Sequence, residues 1–260
     1  MTPPRPSETG ERQVGGVAYW FSHLMVRVFF LALLRTRWDR DTRVPRSGGL
    51  LLAANHQSYL DPPLIGGGRL GRPLGYLARK SLFKGRFMSW LLTSYGSIPL
   101  EDNQGDIAAM REVLRRLEAG QAVLVFPEGS RSFDGAMQEF KPGLAVLLKR
   151  SGCPVVPVAI EGPFDAWPRT SKKPRWWTCP IRVRYGDPIP HEELLRDGVP
   201  AAMERLAREI DALRMQLRAE IRAKTRGKWP RPGPGDHPRS PEGEASTTHE
   251  PSDPPAPSPA

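Results

Sequence analysis

His56 and Asp61 carry residue types suited to acid–base chemistry, spaced five apart in the run Asn55-His56-Gln57-Ser58-Tyr59-Leu60-Asp61. A carboxylate that accepts the proton of one imidazole nitrogen leaves the other nitrogen free as a base near neutral pH. Context separates His56 from the other histidines among the five in the chain. His237 and His249 lie in a Pro-rich terminal stretch, His23 in an apolar segment, and His191 just ahead of Glu192 and Glu193 at a predicted helix start. Only His56 follows a predicted buried strand, where α/β proteins carry their working loops. Pro62 and Pro63 after Asp61 predict a helix start there, which favours a carboxylate. The competing reading is an N-capping Asp beside a surface His.

A second constellation is Phe126-Pro127-Glu128-Gly129-Ser130-Arg131-Ser132, which also follows an apolar run. Gly129 permits close backbone approach, Ser130 supplies a hydroxyl and Arg131 a planar fork suited to phosphate. If both runs are strands of one parallel sheet, both loops open on the same edge.

The elements that must position these loops are legible as alternating patterns. Apolar runs at 50–54, 74–78, 122–126 and 155–160 predict buried strands, and 181–185 alternates as an edge strand does. Residues 81–95, 106–118 and 144–149 have helical character, with Asp106 as a candidate N-cap and Gly120 as a stop. The alternation predicts an α/β single domain over 41–226, with a largely parallel central sheet flanked by helices. The last predicted helix, 201–224, gathers Met203, Leu206, Ile210, Leu213, Leu217 and Ile221 on one face. Arg205, Arg208, Arg214, Arg218 and Arg222 fill the rest, and the expectation is a solvated charged face.

The ends are expected to differ. Val17 to Leu34 is the most apolar stretch, but His23 and Arg27 share a face near its middle. Within the segment 14–40 this suits an N-terminal membrane-interface helix, with its basic groups at the headgroups, followed by Arg35, Arg37 and Arg40. A plain core helix and a true span are the other readings, and Arg27 speaks against the span. Residues 1–13 are expected to be disordered. So is the tail 227–260, which holds ten of the chain's 29 prolines. The chain carries a net +10, and the tail's three Lys/Arg against five Asp/Glu leave +12 on the remainder. A basic body suits an anionic partner such as a phospholipid surface or a phosphorylated substrate. Two cysteines, Cys153 and Cys179, are too few for a disulfide framework and fit a reducing compartment.

In their order the blocks resemble the glycerolipid acyltransferase family typified by 1-acyl-glycerol-3-phosphate acyltransferase. Asn55, His56 and Asp61 match its Asn-His-x4-Asp block, and residues 126–132 match its Phe-Pro-Glu-Gly-x-Arg-Ser block. Residues 155–160, Val-Val-Pro-Val-Ala-Ile, match an apolar block with an internal proline. Lys80 and Lys84, and Lys141 in Phe140-Lys141-Pro142-Gly143, resemble the family's basic positions. The likeness covers residues 17–190. It implies acyl transfer from an acyl-CoA or acyl carrier protein thioester to a lysophospholipid hydroxyl, yielding phosphatidic acid in phospholipid biosynthesis. His56 and Asp61 are then catalytic, while Lys80, Lys84, Gly96, Glu128, Gly129, Arg131 and Lys141 bind substrate. The implied enzyme uses no cofactor and no metal. Its partners are the membrane lipid surface, the acyl donor and the acceptor, with no nucleic acid, at the cytoplasmic face of the cell membrane as a peripheral or monotopic protein.

One block departs from the pattern. Gly96-Ser97-Ile98-Pro99-Leu100-Glu101-Asp102 has Asp102 where the family usually has an Arg that helps hold the acceptor phosphate. A different acceptor is therefore an open reading, and a non-catalytic basic binding protein is the rival from another class. The absence of Gly-x-Ser-x-Gly disfavours a serine hydrolase. The glycine pattern Gly66-Gly67-Gly68-Arg69-Leu70-Gly71 follows a helix start rather than a strand, so it is read as coincidental.

Overall fold

The computed structural model describes residues 17–68, 70–80, 97–100 and 107–239. Their core is a seven-stranded sheet in the order β1-β7-β6-β2-β5-β3-β4. The strands are β1 (Arg37–Asp39), β2 (Leu50–Ala54), β3 (Leu74–Arg79), β4 (Ile98–Leu100), β5 (Ala122–Val125), β6 (Val155–Glu161) and β7 (Arg182–Tyr185). Every neighbouring pair is parallel except β6 with β7, so β7 and β1 run against the other five. The α/β class and the largely parallel sheet are as predicted.

Strand alternation sends side chains to two separate cores. Leu50, Leu52, Ala54, Leu124, Val156 and Val158 face one cluster, covered by α1 (Val17–Leu34) and α2 (Asp61–Gly66). Leu51, Ala53, Val123, Val125 and Val155 face the other. That second face is covered by α3 (Ile107–Glu118), α4 (Gly143–Arg150) and α7 (Val199–Lys224). Two short helices, α5 (Pro163–Ala166) and α6 (His191–Leu194), complete the described elements. All of β2 is buried, because its neighbours β5 and β6 flank it and helices lie on both faces. It is therefore a rigid base for the loop that leaves its end.

Several expectations are corrected. The run 181–185 is not an edge strand, because β1 pairs beyond it in register Arg37 with Arg182. Three residues, Arg-Trp-Asp, carry too little periodicity to announce β1 as a strand. The arginines of α7 form a solvated face only in part: Arg208 is exposed, but Arg214 is fully buried and Arg218 nearly so. Arg214 donates to Asp211 and to the carbonyls of Gly235 and His237, and Arg218 pairs with Glu161 and Asp236. Those contacts also order the first part of the expected disordered tail. Residues 228–239 lie along α7 with a helical turn at Pro234–Asp236. Guanidinium groups satisfy the backbone carbonyls there, a source of order that a Pro- and Gly-rich composition conceals. Residues 240–260 and 1–16 lie outside the described residues, as do 81–96, with Lys84 and Gly96, and 101–106, with Asp102 and Asp106.

Helix α1 divides its surface. Tyr19, Phe30 and Leu34 are buried, while Phe21 is 65% exposed and Trp20, Leu24, Met25, Val28, Phe29 and Leu31 are exposed beside it. The pair expected to face lipid headgroups instead turns inward. His23 Nε2 lies 2.9 Å from the Gly66 carbonyl, and Arg27 donates to the Gly67 carbonyl beneath the Trp38 ring. These are the open carbonyls at the end of α2, where a cation is favoured. The glycine run serves packing: a Cβ on Gly68 would fall 2.4 Å from the Tyr185 hydroxyl. No described helix is long and apolar enough to cross a membrane.

Candidate active site

The loop after β2 and the loop after β5 leave the same edge of the sheet, because the two strands are parallel neighbours in register Leu52 with Leu124. In the first loop Asn55 acts as an extra strand residue. Its side-chain amide donates to the Ile160 carbonyl and its amide oxygen accepts the Ile160 N–H, both at 2.9 Å. The chain then turns so that α2 begins at Asp61, with the two prolines in its first turn.

That turn folds the carboxylate back onto the imidazole. Asp61 Oδ2 lies 2.8 Å from His56 Nδ1 and also accepts the backbone N–H groups of Gln57 and Ser58. Three donors on one buried oxygen fix the carboxylate's position and, through it, the ring's orientation. A carboxylate cannot donate, so the proton between the two groups sits on Nδ1, leaving Nε2 as the basic nitrogen. Nε2 makes no hydrogen bond among the described residues, and the side chain is 17% exposed, so solvent reaches it. Phe126 stacks on the ring with centroids 4.0 Å apart.

The second loop clamps the first. The His56 N–H donates to Glu128 Oε1 at 2.7 Å, and the His56 carbonyl accepts the Ser132 N–H at 2.8 Å. Glu128 Oε2 accepts the Gln138 N–H, so both oxygens of this buried carboxyl are held by backbone. Burial pushes its pKa up to about 8 and the charge of Asp61 adds to that, against the pull of the two N–H groups. Glu128 thus holds the His56 backbone from behind, with both of its oxygens engaged by backbone N–H groups. Gly129 takes the left-handed conformation at φ 69°, and a Cβ there would lie 3.1 Å from Lys141 Cγ. The Arg131 guanidinium stacks 3.4 Å over the exposed Tyr59 ring, joining the two loops at the mouth of the site.

The remaining candidates divide. Lys141 donates its N–H to the Pro127 carbonyl and is exposed beside Gly129. Lys80 is exposed just past the end of β3, a strand parallel to β5, and so on the same edge. Lys84 and Gly96 fall outside the described residues. Sequence reasoning missed Gln57 and Glu161: Gln57 Nε2 donates to Glu161 Oε2 at 2.9 Å, beneath the His56 turn. A glutamate closing an apolar strand was the available signal. Among the described residues no group of three or more His, Cys, Asp or Glu gathers as a metal site.

Comparison with known proteins meets this geometry from another direction. The family model described as Acyltransferase matches residues 35–161, which span β1 to the end of β6. The chain is 30% identical over 190 residues to the 1-acyl-sn-glycerol-3-phosphate acyltransferase alpha of Homo sapiens, covering 70% of this chain and 65% of that one. It is 29% identical over 121 residues to a chloroplastic 1-acyl-sn-glycerol-3-phosphate acyltransferase of Brassica napus, covering 46% of this chain and 35% of that protein. The chain thus spans about a third of the length of the plant chloroplast relatives it matches. Among solved structures, the 1-acyl-sn-glycerophosphate acyltransferase PlsC of Thermotoga maritima superposes with a TM-score of 0.58 at 26% identity, covering 75% of this chain and 79% of that one.

Proposed function

The chain belongs to the glycerolipid acyltransferase family, and from that premise we propose that it transfers a fatty acyl group from a thioester to the hydroxyl of 1-acyl-sn-glycerol-3-phosphate, giving phosphatidic acid. The observation that carries this reading is the His56–Asp61 contact at the end of β2, with Nε2 left to face a substrate. Nε2 takes the proton of the acceptor hydroxyl as its oxygen attacks the thioester carbonyl. The C–O bond forms, the tetrahedral intermediate collapses with loss of the C–S bond, and the imidazolium returns the proton to the departing thiolate. Asp61 stabilises the imidazolium through that cycle. A thioester has a good leaving group, so a covalent acyl-enzyme is unnecessary.

Arg131, with Lys141 and Lys80 on the same edge, supplies the cationic side of the site, and a phosphate is the ligand such forks and ammonium groups recognise. The family pattern adds Lys84 and Gly96, outside the described residues, as substrate-binding positions. The donor is an acyl-CoA or acyl carrier protein thioester. Asp102, in place of the family's Arg, supports a second reading in which the same chemistry acts on another lyso-lipid.

The enzyme works at a lipid surface in this reading. The exposed apolar face of α1 is large for a surface facing water and suits shallow burial in a bilayer interface. Two buried free cysteines and a basic body agree with the cytoplasmic, anionic side of the membrane. The test is an acceptor screen with one acyl-CoA, read by mass. Phosphatidic acid from lysophosphatidic acid is the expected product. Acylation of a different lyso-lipid alone overturns the acceptor assignment, and no transfer to any acceptor overturns the enzymatic reading.

A further inference from the structure

A line of buried charged and polar groups runs from the catalytic turn to the C-terminal segment, and the proton-transfer scheme above makes no use of it. Gln57, between the base and Ser58, has its backbone N–H on Asp61 Oδ2 and its side chain on Glu161. Glu161 closes β6, the strand beside β2, and its other oxygen accepts from Arg218 of α7. Arg218 continues to Asp236 through Nε at 2.7 Å and to the Arg231 carbonyl at 2.8 Å. Asp236 also receives Arg222 and the Gly233 N–H, which closes the turn on which it sits. The same turn reaches the second loop: a Cβ on Gly235 would fall 2.9 Å from the Gly135 carbonyl oxygen. Gly135 donates its N–H to Ser132 Oγ, and Ser132 holds the His56 carbonyl.

We propose that residues 231–239 form a strut that positions the catalytic turn, acting through Arg218 and Glu161 on Gln57 and through the Gly235–Gly135 contact on the second loop. Well-packed apolar residues can join a helix to a sheet at no greater cost than buried ion pairs. What the charged chain adds is direction: each bond fixes the next group's orientation, and the last fixes the residue that holds Asp61. Gln57, Glu161, Arg218 and Asp236 are accordingly positioning residues. The inference rests on the reading of His56 as the base, and its test is separable from the choice of substrates.

The test uses the full chain with Arg218→Lys, Asp236→Asn, Gln57→Met and the Arg218→Lys/Gln57→Met double variant. Steady-state transfer from palmitoyl-CoA to 1-oleoyl-lysophosphatidic acid gives kcat and both KM values, and NMR titration gives the His56 imidazole pKa. Misplacement of the base predicts a kcat loss of about tenfold or more in Arg218→Lys, with both KM values within about twofold. Asp236→Asn, at the half-buried end of the line, should retain the fold and show the same split more weakly. The double variant should lose no more than the worse single variant, because both changes cut one line. As Asp61 loosens from Nδ1, the His56 titration should move from that of the wild type. Multiplying losses, or folded variants with wild-type kcat and an unmoved His56 titration, overturn the strut. A wild-type chain inert toward these substrates overturns the proposed reaction instead, and the titration alone then decides the strut.

Discussion

Replacing Asp61 by Asn removes one charge and leaves the shape nearly unchanged, which isolates what the carboxylate does for His56. An amide oxygen in place of Oδ2 can still accept the His56 ring proton and the N–H groups of Gln57 and Ser58. The lost quantity is the attraction between a full negative charge and the imidazolium formed during transfer. At the 2.8 Å separation and an effective dielectric of about 20, that attraction is about 6 kcal/mol. The ring is 17% exposed, so solvent screens part of it. The expected loss in kcat is about 1,000- to 10,000-fold, at about 1.4 kcal/mol per decade. The new NH2 group takes the place of Oδ1, which is buried without a hydrogen-bond partner among the described residues. It therefore costs about 1–3 kcal/mol of stability, and kcat should be measured well below the variant's melting temperature. The assay is transfer from radiolabelled acyl-CoA with both substrates saturating, alongside circular dichroism. A folded Asp61→Asn enzyme within tenfold of wild-type kcat would refute the reasoning.

Three further outcomes follow from the same geometry. Glu128 has its pKa raised from 4.5 to about 8, so the folded protein binds more protons than the unfolded chain between those values. Stability should therefore fall as pH rises from about 4.5 to 8, and thermal melts of Glu128→Gln should show a shallower decline across that window. Gly129→Ala forces a side chain into the left-handed region and toward Lys141 Cγ, at a cost of about 1–2 kcal/mol that denaturant unfolding should register. On α1, replacing Phe21, Leu24 and Val28 by Ser should weaken binding to anionic vesicles by at least roughly a hundredfold in a flotation assay. The melting temperature should hardly change, because these side chains face away from the core.

The sequence was most legible where one physical rule governed a run of residues. Leu50–Ala54 and Ala122–Val125 had to be buried strands, and parallel pairing then brought the His56 and Glu128 loops to one edge. Pro62 and Pro63 announced the helix start that returns Asp61 to His56. Legibility failed where order comes from contacts distant in the chain. Arg214 and Arg218 have helical spacing that looks solvent-facing, and besides the nearby Asp211 it is Glu161, Asp236 and the carbonyls of the terminal segment that explain their burial. The same partners explain why residues 228–239 are ordered despite their composition. Arg27 in α1 was misread for the same reason: its partner, the end of α2, comes forty residues later. Glu128 was read as a site residue from its block, yet its grip on the His56 N–H could not be read from spacing.

The central claim is that His56 is the base for acyl transfer, and the most direct test compares His56→Ala with the wild-type chain. Both are incubated with acyl-CoA and lysophosphatidic acid, and the phosphatidic acid formed is quantified by mass. His56 makes one side-chain hydrogen bond among the described residues, so the variant should fold. The account predicts product from the wild type and none above the uncatalysed background from the variant. Phosphatidic acid formed by folded His56→Ala at a rate near that of the wild type contradicts it.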